Sequence, residues 1–269
     1  MINISIYGAG HLTKSLLTGL GGVSDKEISI FNRTESKIND LNSIYSNLEK
    51  KDCLYELIKE RTILFCIIPV DALINLDLKF IEKLKQTNSI LVSCANGLSL
   101  ELLNVKFSGL KVIRLLPNVN WQICEGVSLF DCNDKVTEGE LNVFCKFLSP
   151  VTKLYRVKND MDFEKIGTLT TCSPGLFCII LDYFNEYFNI ENLDEKEIFY
   201  ESLKGTIDYI LRSRKDPKII SCEVANKGGL TGVGIKAIQQ QFPSCIELVS
   251  TNMKNKIEER KEKVKILIK

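Results

Sequence analysis

The 269 residues carry 26% charged side chains, 45% hydrophobic ones and a formal net charge of +1. A chain of that length can bury a sizeable core and is long enough for two modest domains. A charge so near zero supplies no basic field for a nucleic acid or an anionic membrane surface. The ten cysteines are scattered without a CxxC pair, and His11 is the single histidine. A zinc site would have to be gathered from distant cysteines, so no metal is expected. Several cysteines lie inside apolar runs such as ILFCII and GLFCII, where a free thiol behaves as a small buried hydrophobe. That usage suits a reducing cytoplasm. The first apolar run contains glycines and follows no basic region, so it does not read as a signal peptide. No apolar stretch is expected to reach the length of a membrane span. The expectation is a soluble cytoplasmic protein.

From residue 1 to about 157, short β-branched runs alternate with segments of helical spacing. INISIY (2–7), EISIF (27–31), TILFCII (62–68), SILVSC (89–94) and KVIRLL (111–116) read as strands. Their continuous apolar character is that of parallel strands covered on both faces. LTKSLLTGL, ESKINDLNSIYSNLEK and DALINLDLKFIEKLKQ read as the intervening helices. GVSLF (126–130) and TKLYRV (152–157) extend the sheet at one edge. Strand alternating with helix predicts a doubly wound α/β domain over 1–157. Residues 158–269 read as all helix. One long apolar stretch there is interrupted by Pro174-Gly175, a second runs over 194–214 with Asp194 as N-cap, and KGGLTGVG forms a loop before a final helix and charged tail.

The opening SIYGAGHLTKSLL is a strand, a Gly-x-Gly-x-x-Thr turn and a helix. Gly8 permits the tight turn, and Gly10 lets the backbone approach a pyrophosphate facing the helix N-terminus. Thr13 takes the place of a third glycine and would loosen helix–strand packing slightly. A purely structural turn is the alternative, but its place after the first strand favours a dinucleotide. The second strand ends in FNRTESK, so Asn32, Arg33 and Thr34 stand where an NAD site keeps an acid, and Lys37 follows one turn later. Arg33 can form charge-assisted bonds to a 2′-phosphate, which favours NADPH over NADH. The alternative is a solvated arginine at a strand end.

These pieces resemble the pyrroline-5-carboxylate reductase family, in order and along nearly the whole chain. GAGHLTKSL is similar to that family's Gly-x-Gly-Asn-Met opening, and NRT to its Asn-Arg-Ser. SCANGLSLELL (93–103), VIRLLPNVNWQICEGVSLF (112–130), TTCSPGLFCII (170–180) and VANKGGLTGVGIKAI (224–238) each match a further family segment. The resemblance implies a Rossmann-type nucleotide domain followed by a helical dimerisation domain, and reduction of a cyclic imine acid to proline. It implies cofactor contacts at Gly8, Gly10, His11, Leu12, Asn32, Arg33, Thr34, Asn96, Pro117 and Asn118. Substrate contacts fall on Ser173, Pro174, Gly228, Gly229 and Thr231, with Thr231 hydrogen-bonding the ring nitrogen as the catalytic residue. The partners implied are a small-molecule substrate and a second copy of the chain, as a homodimer or larger assembly, with no nucleic acid or membrane.

The departures from the family cluster in the substrate segments. Val119 and Asn120 replace a Thr-Pro, Trp121 adds a bulky ring, and Asn96 stands where a small apolar residue is usual. Thr171 and Ser173 replace glycines, Lys227 a proline and Leu230 a threonine. Trp121 and Phe177 are compatible with lining a pocket or with plain core packing. KGGLTG can also be a simple glycine-rich connection. Lys165 reads as part of a solvated helix face and not as the lysine of the β-hydroxyacid reductases. Cys94 and Cys172 fall near the presumed pocket, reactive or merely buried. Three readings follow: a pyrroline-5-carboxylate reductase using NADP(H) with NAD(H) less suited, an imine or ketone reductase with another substrate, and a catalytically silent nucleotide-binding relative.

Overall fold

The computed structural model describes residues 2–226 and 228–268. Eight strands form one sheet: β1 (Asn3–Tyr7), β2 (Ile28–Phe31), β3 (Leu48–Lys50), β4 (Thr62–Cys66), β5 (Ile90–Ser93), β6 (Lys111–Leu116), β7 (Gly126–Cys132) and β8 (Thr152–Arg156). Their order is β3-β2-β1-β4-β5-β6-β7-β8, and every pair is parallel except β6–β7. The chain leaves β1 toward β2 on one side and later returns to place β4 on the other. This reversal between β1 and β4 is the crevice where doubly wound sheets bind dinucleotides.

Alternate strand residues feed two cores, as a period of two requires. Ile63 and Phe65 of β4 pack with Ile4, Ile6, Leu16, Leu17 and Phe144 on one face. Leu64 and Cys66 pack with Phe80, Leu84, Leu103 and Val112 on the other. The first core is covered by α1 (His11–Gly21) and α6 (Glu138–Leu148), the second by α4 (Leu78–Gln86) and α5 (Leu100–Lys106). The N-terminal Rossmann architecture expected from the sequence is therefore present.

Several boundaries differ from the sequence reading, each for a local reason. The helix read through residue 50 ends early as α2 (Ser36–Asn42), and Leu48–Lys50 instead pairs with β2. The segment read as one helix over 71–86 splits into α3 (Val70–Ile74) and α4, because the Asp77 carboxylate accepts the Phe80 N–H and restarts the helix. Trp121 belongs to the core: it is fully buried in a 3₁₀ turn, Val119–Ile123, and its Nε1 donates to Ser128 Oγ at 3.0 Å. A Cβ on Gly19 of α1 would lie 2.1 Å from the Trp121 carbonyl oxygen, so this turn and α1 touch at the backbone.

Four helices follow the sheet: α7 (Asp160–Tyr187), α8 (Leu193–Ser213), α9 (Pro217–Val224) and α10 (Leu230–Ile268). Pro174 lies inside α7 without breaking it, and Pro243 inside α10. Continuity makes α7, at 28 residues, long and apolar enough to cross a membrane by length and composition, with a mean hydropathy of 1.3 in its most apolar window. This corrects the expectation that no stretch reaches that length. The N-cap of α8 is Asn192 and not Asp194, its side chain accepting the Glu195 N–H. The expected loop over 227–234 is shorter, since α10 begins at Leu230, and the charged tail is helix.

The chain forms two compact units, Met1–Leu176 with Arg260–Lys269, and Phe177–Glu259. In the first, the end of α10 returns to the second core: Val264 is buried there, and Lys263 pairs with Asp71 at 2.8 Å. The second unit is thinly packed. Among its described residues α8 buries none, while Phe177, Ile179, Tyr183, Tyr187, Ile198 and Leu211 are exposed.

Replacing Trp121 by Ala removes a large, fully buried ring. Destabilisation of about 3–5 kcal/mol is expected, measured by urea unfolding.

Candidate functional site

The turn after β1 is built around Gly8. Its φ is +112°, and a Cβ there would lie 2.2 Å from the Ile67 carbonyl oxygen at the end of β4. Only glycine supplies both the left-handed backbone and the close approach. Its N–H donates to the Phe31 carbonyl at 2.9 Å, which ties the turn to the end of β2. Thr13 does not loosen the turn. It is fully buried, and its Oγ1 donates to the Gly8 carbonyl at 2.7 Å. The hydroxyl thus closes the turn from the inside, where a glycine would leave that carbonyl to find another donor.

Gly10 caps α1 in extended conformation with open space around its Cβ position. The His11, Leu12 and Thr13 amides of the first turn have no partner within the helix, as at any helix N-terminus. His11 is exposed and Leu12 half-buried. A cradle of this kind, open at Gly10 and lined by helix N–H groups, fits a diphosphate.

Asn32 links the turn to the end of β2. Its Oδ1 accepts the Ala9 N–H at 3.1 Å and its Nδ2 donates to the Thr34 carbonyl at 2.8 Å. Its side chain therefore shapes the loop from within. Arg33 and Thr34 are exposed beside it. Glu35, the acid nearest the strand end, is paired with Lys50 of β3. Burial raises the Tyr7 phenol, and the positive charge of Arg33 partly offsets that rise. The end of β2 thus presents a free guanidinium and a hydroxyl, while its nearest acid already has a cationic partner. A ribose 2′-phosphate fits that set better than a bare 2′-hydroxyl.

Beyond the crevice, β5 runs into Cys94, Ala95, Asn96 and Gly97, with Asn96 half-buried and Gly97 at φ +91°. Burial pushes the Cys94 thiol up to about 12 and raises Cys66 as well, which favours the neutral thiol at both. Pro117 and Asn118 follow β6 and are buried. Asn118 Nδ2 donates to the Thr170 carbonyl at 3.2 Å, and its Oδ1 accepts the Val127 N–H at 3.4 Å. Ser173 and Pro174 are half-buried in α7, as is Cys172, whose sulfur lies 3.7 Å from Thr171 Oγ1.

The remaining candidates belong to the second unit. Gly228 has φ +79° and is exposed. The Gly229 N–H is engaged by the Asn226 carbonyl at 3.0 Å, so it is not available to a ligand in this conformation. Thr231 lies exposed in the first turn of α10, where the helical amides again lack internal partners.

Sequence reasoning missed Arg114 of β6. It is buried, its guanidinium stacks 3.8 Å over the Phe163 ring, and its Nη1 donates to Asp160 at 2.8 Å. Burial lowers its pKa, while the charges of Asp160, Glu164 and Asp131 oppose that fall. An arginine inside an otherwise apolar strand, KVIRLL, was the available signal.

No family model matches the chain. Pyrroline-5-carboxylate reductase 2 of Bacillus subtilis (strain 168) is 22% identical over 260 residues, covering 92% of each chain. ComE operon protein 4 of the same organism is 22% identical over 268 residues, covering 96% of each. The crystal structure of Plasmodium falciparum pyrroline carboxylate reductase with NADP bound covers 100% of this chain and 98% of its own, with a TM-score of 0.78 and 16% identity. This chain is similar to pyrroline-5-carboxylate reductases along its whole length.

The departures from the pyrroline-5-carboxylate reductase pattern lie in varied surroundings. Val119 is exposed and Asn120 half-buried, both in the turn that buries Trp121. Thr171 turns its hydroxyl back to the Gly167 carbonyl at 2.7 Å, so the replaced glycine has become part of the helix surface. Phe177 and Leu230 are exposed, as is Lys165. Lys227 lies outside the described residues. Among those described, no three histidine, cysteine or acidic side chains gather as metal ligands.

Thr13→Val keeps the shape and deletes the hydroxyl beneath Gly8. A loss of about 1–3 kcal/mol in urea unfolding is expected, because a buried carbonyl is left unpaired. Arg33→Ala, at an exposed position, should change stability by no more than about 0.5 kcal/mol.

Proposed function

We propose that this protein is an NADPH-dependent reductase of a small cyclic imine carboxylate, with pyrroline-5-carboxylate to proline as the first candidate reaction. The observation that carries the reading is the Gly8–Gly10 cradle together with Arg33 at the end of β2, on a chain similar to pyrroline-5-carboxylate reductases throughout. In this reading residues 1–157 bind the nucleotide and 158–269 are the helical dimerisation and substrate domain.

Bound NADPH supplies a hydride to the C=N carbon, and a proton ends on the nitrogen. In this reading the amides of His11 and Leu12 hold the diphosphate, and Arg33 and Thr34 take the 2′-phosphate. Asn32 acts by shaping the loop. Asn96 and Pro117 border the nicotinamide end, and Asn118 is assigned to that border through its backbone alone. Ser173 and Pro174 line the substrate side. Thr231 hydroxyl hydrogen-bonds the imine nitrogen, and the carboxylate is met by the Gly228 amide and the first turn of α10. The protein's task is to hold a reactive imine at attack distance, for which no strong acid is needed. The ten free cysteines support a reducing cytoplasm as the compartment.

The exposed apolar faces of α7 and α8 support a homodimer or larger assembly. A helix of 21 residues that buries none of its side chains has its apolar face available for a second copy. The same contact would account for the long apolar α7 without a membrane.

A silent nucleotide-binding protein is the second reading. It is favoured by the equally long similarity to ComE operon protein 4, whose name specifies no reductase, and by the altered α7 segment.

Arg33→Ala is expected to weaken NADPH about tenfold in fluorescence titration while leaving NADH nearly unchanged, since a charge-assisted phosphate contact is lost. Thr231→Ala should lower kcat/KM for the imine about tenfold or more without altering NADPH affinity. NADPH binding with no imine turnover in the unmutated protein would favour the silent reading. Light scattering at micromolar concentration should give at least twice the 30.5 kDa chain mass.

A further inference from the structure

A proline inside a helix removes the donor for the carbonyl four residues earlier. Pro174 in α7 therefore leaves the Thr170 carbonyl without its helical partner. That carbonyl accepts the Asn118 Nδ2 donor at 3.2 Å. Asn118 is 6% exposed, and its other amide atom accepts the Val127 N–H at 3.4 Å. One buried side chain thus joins the end of β6, the start of β7 and α7, and supplies the donor that Pro174 lacks.

The pairing ends a regular meeting of two periodicities. Arg114, Leu116 and Asn118 recur every two residues along one face of β6 and its extension. Opposite them, Phe163, Gly167, Thr170 and Pro174 are spaced four, three and four along α7, which is one helical stripe. Arg114 stacks on Phe163, Leu116 meets Gly167 and Phe163, and Asn118 reaches Thr170. A Cβ on Gly167 would lie 2.6 Å from Leu116 Cδ1, so the helix lies as close as glycine allows.

We propose that Asn118 is a positioning residue. It compensates for Pro174 and holds the Thr170–Pro174 turn of α7 in place, and its side chain does not bind cofactor. The consequence for turnover rests on the reading above that Ser173 and Pro174 border the imine. The structural pairing does not rest on it.

The test is a double-mutant cycle on the full chain with Asn118→Ala, Pro174→Ala and both together. Asn118→Ala should lower Tm by roughly 5 °C, because the partly buried Thr170 carbonyl loses its donor. Pro174→Ala restores a helical N–H to that carbonyl, so the double variant should recover at least half of the loss. Should Asn118→Ala fail to fold alone, a folded double variant supports the proposal and an unfolded one overturns it. In turnover, Asn118→Ala should raise the imine KM about tenfold while the NADPH Kd stays within about twofold. Additive Tm losses, or a weakened NADPH Kd with an unchanged imine KM, would overturn it. If the unmutated protein reduces no imine, the proposed function fails, and the Tm cycle decides this inference by itself.

Discussion

The Ile67 carbonyl occupies the space that a side chain at position 8 would need, 2.2 Å from where its Cβ would sit. Everything at the nucleotide end follows from that contact. β1 and β4 are neighbours although α1, β2, α2 and β3 lie between them in sequence, because the sheet reverses there. The turn between β1 and α1 can cross the end of β4 only with no Cβ and a positive φ. Thr13 secures the crossing from below and Asn32 from the side. The first-turn amides of α1 then have no partner within the helix, a geometry that fits a phosphate.

The other fixed contact is the stripe where α7 lies on β6. It puts a cation, a close-packed aliphatic pair and an amide donor in succession along one strand face. Buried charge is costly, and Arg114 is tolerated because Asp160, Glu164 and the Phe163 ring surround it. Through this stripe α7, which carries the Thr171 and Ser173 departures from the pyrroline-5-carboxylate reductase pattern, is attached to β6. Change in substrate and constancy of fold can coexist on such an arrangement.

Much of this was legible in the residues. Strand–helix alternation, Gly8 and Gly10, and the missing acid after β2 are all local signals, and they led to the fold and to the glycine turn after β1. What escaped depended on partners far along the chain. Thr13 read as a looser glycine substitute because its hydroxyl's target, the Gly8 carbonyl, is defined only once the turn exists. Trp121 read equally as pocket wall or core, and the buried Ser128 acceptor that claims its indole N–H decides for the core. Asn118 pairs with Thr170, 52 residues away, a contact that no local signal announces. Leu48–Lys50 is too short and too polar to announce itself as a strand, and only pairing with β2 makes it one.

The central claim is a hydride delivered from NADPH to a C=N carbon. Its most direct measurement is mass spectrometry of the product formed from pyrroline-5-carboxylate and NADPH deuterated at the nicotinamide C4. Proline carrying one deuterium at the former C=N carbon, formed faster than with deuterated NADH, is the predicted result. Unlabelled or absent proline, with NADPH demonstrably bound, would contradict it.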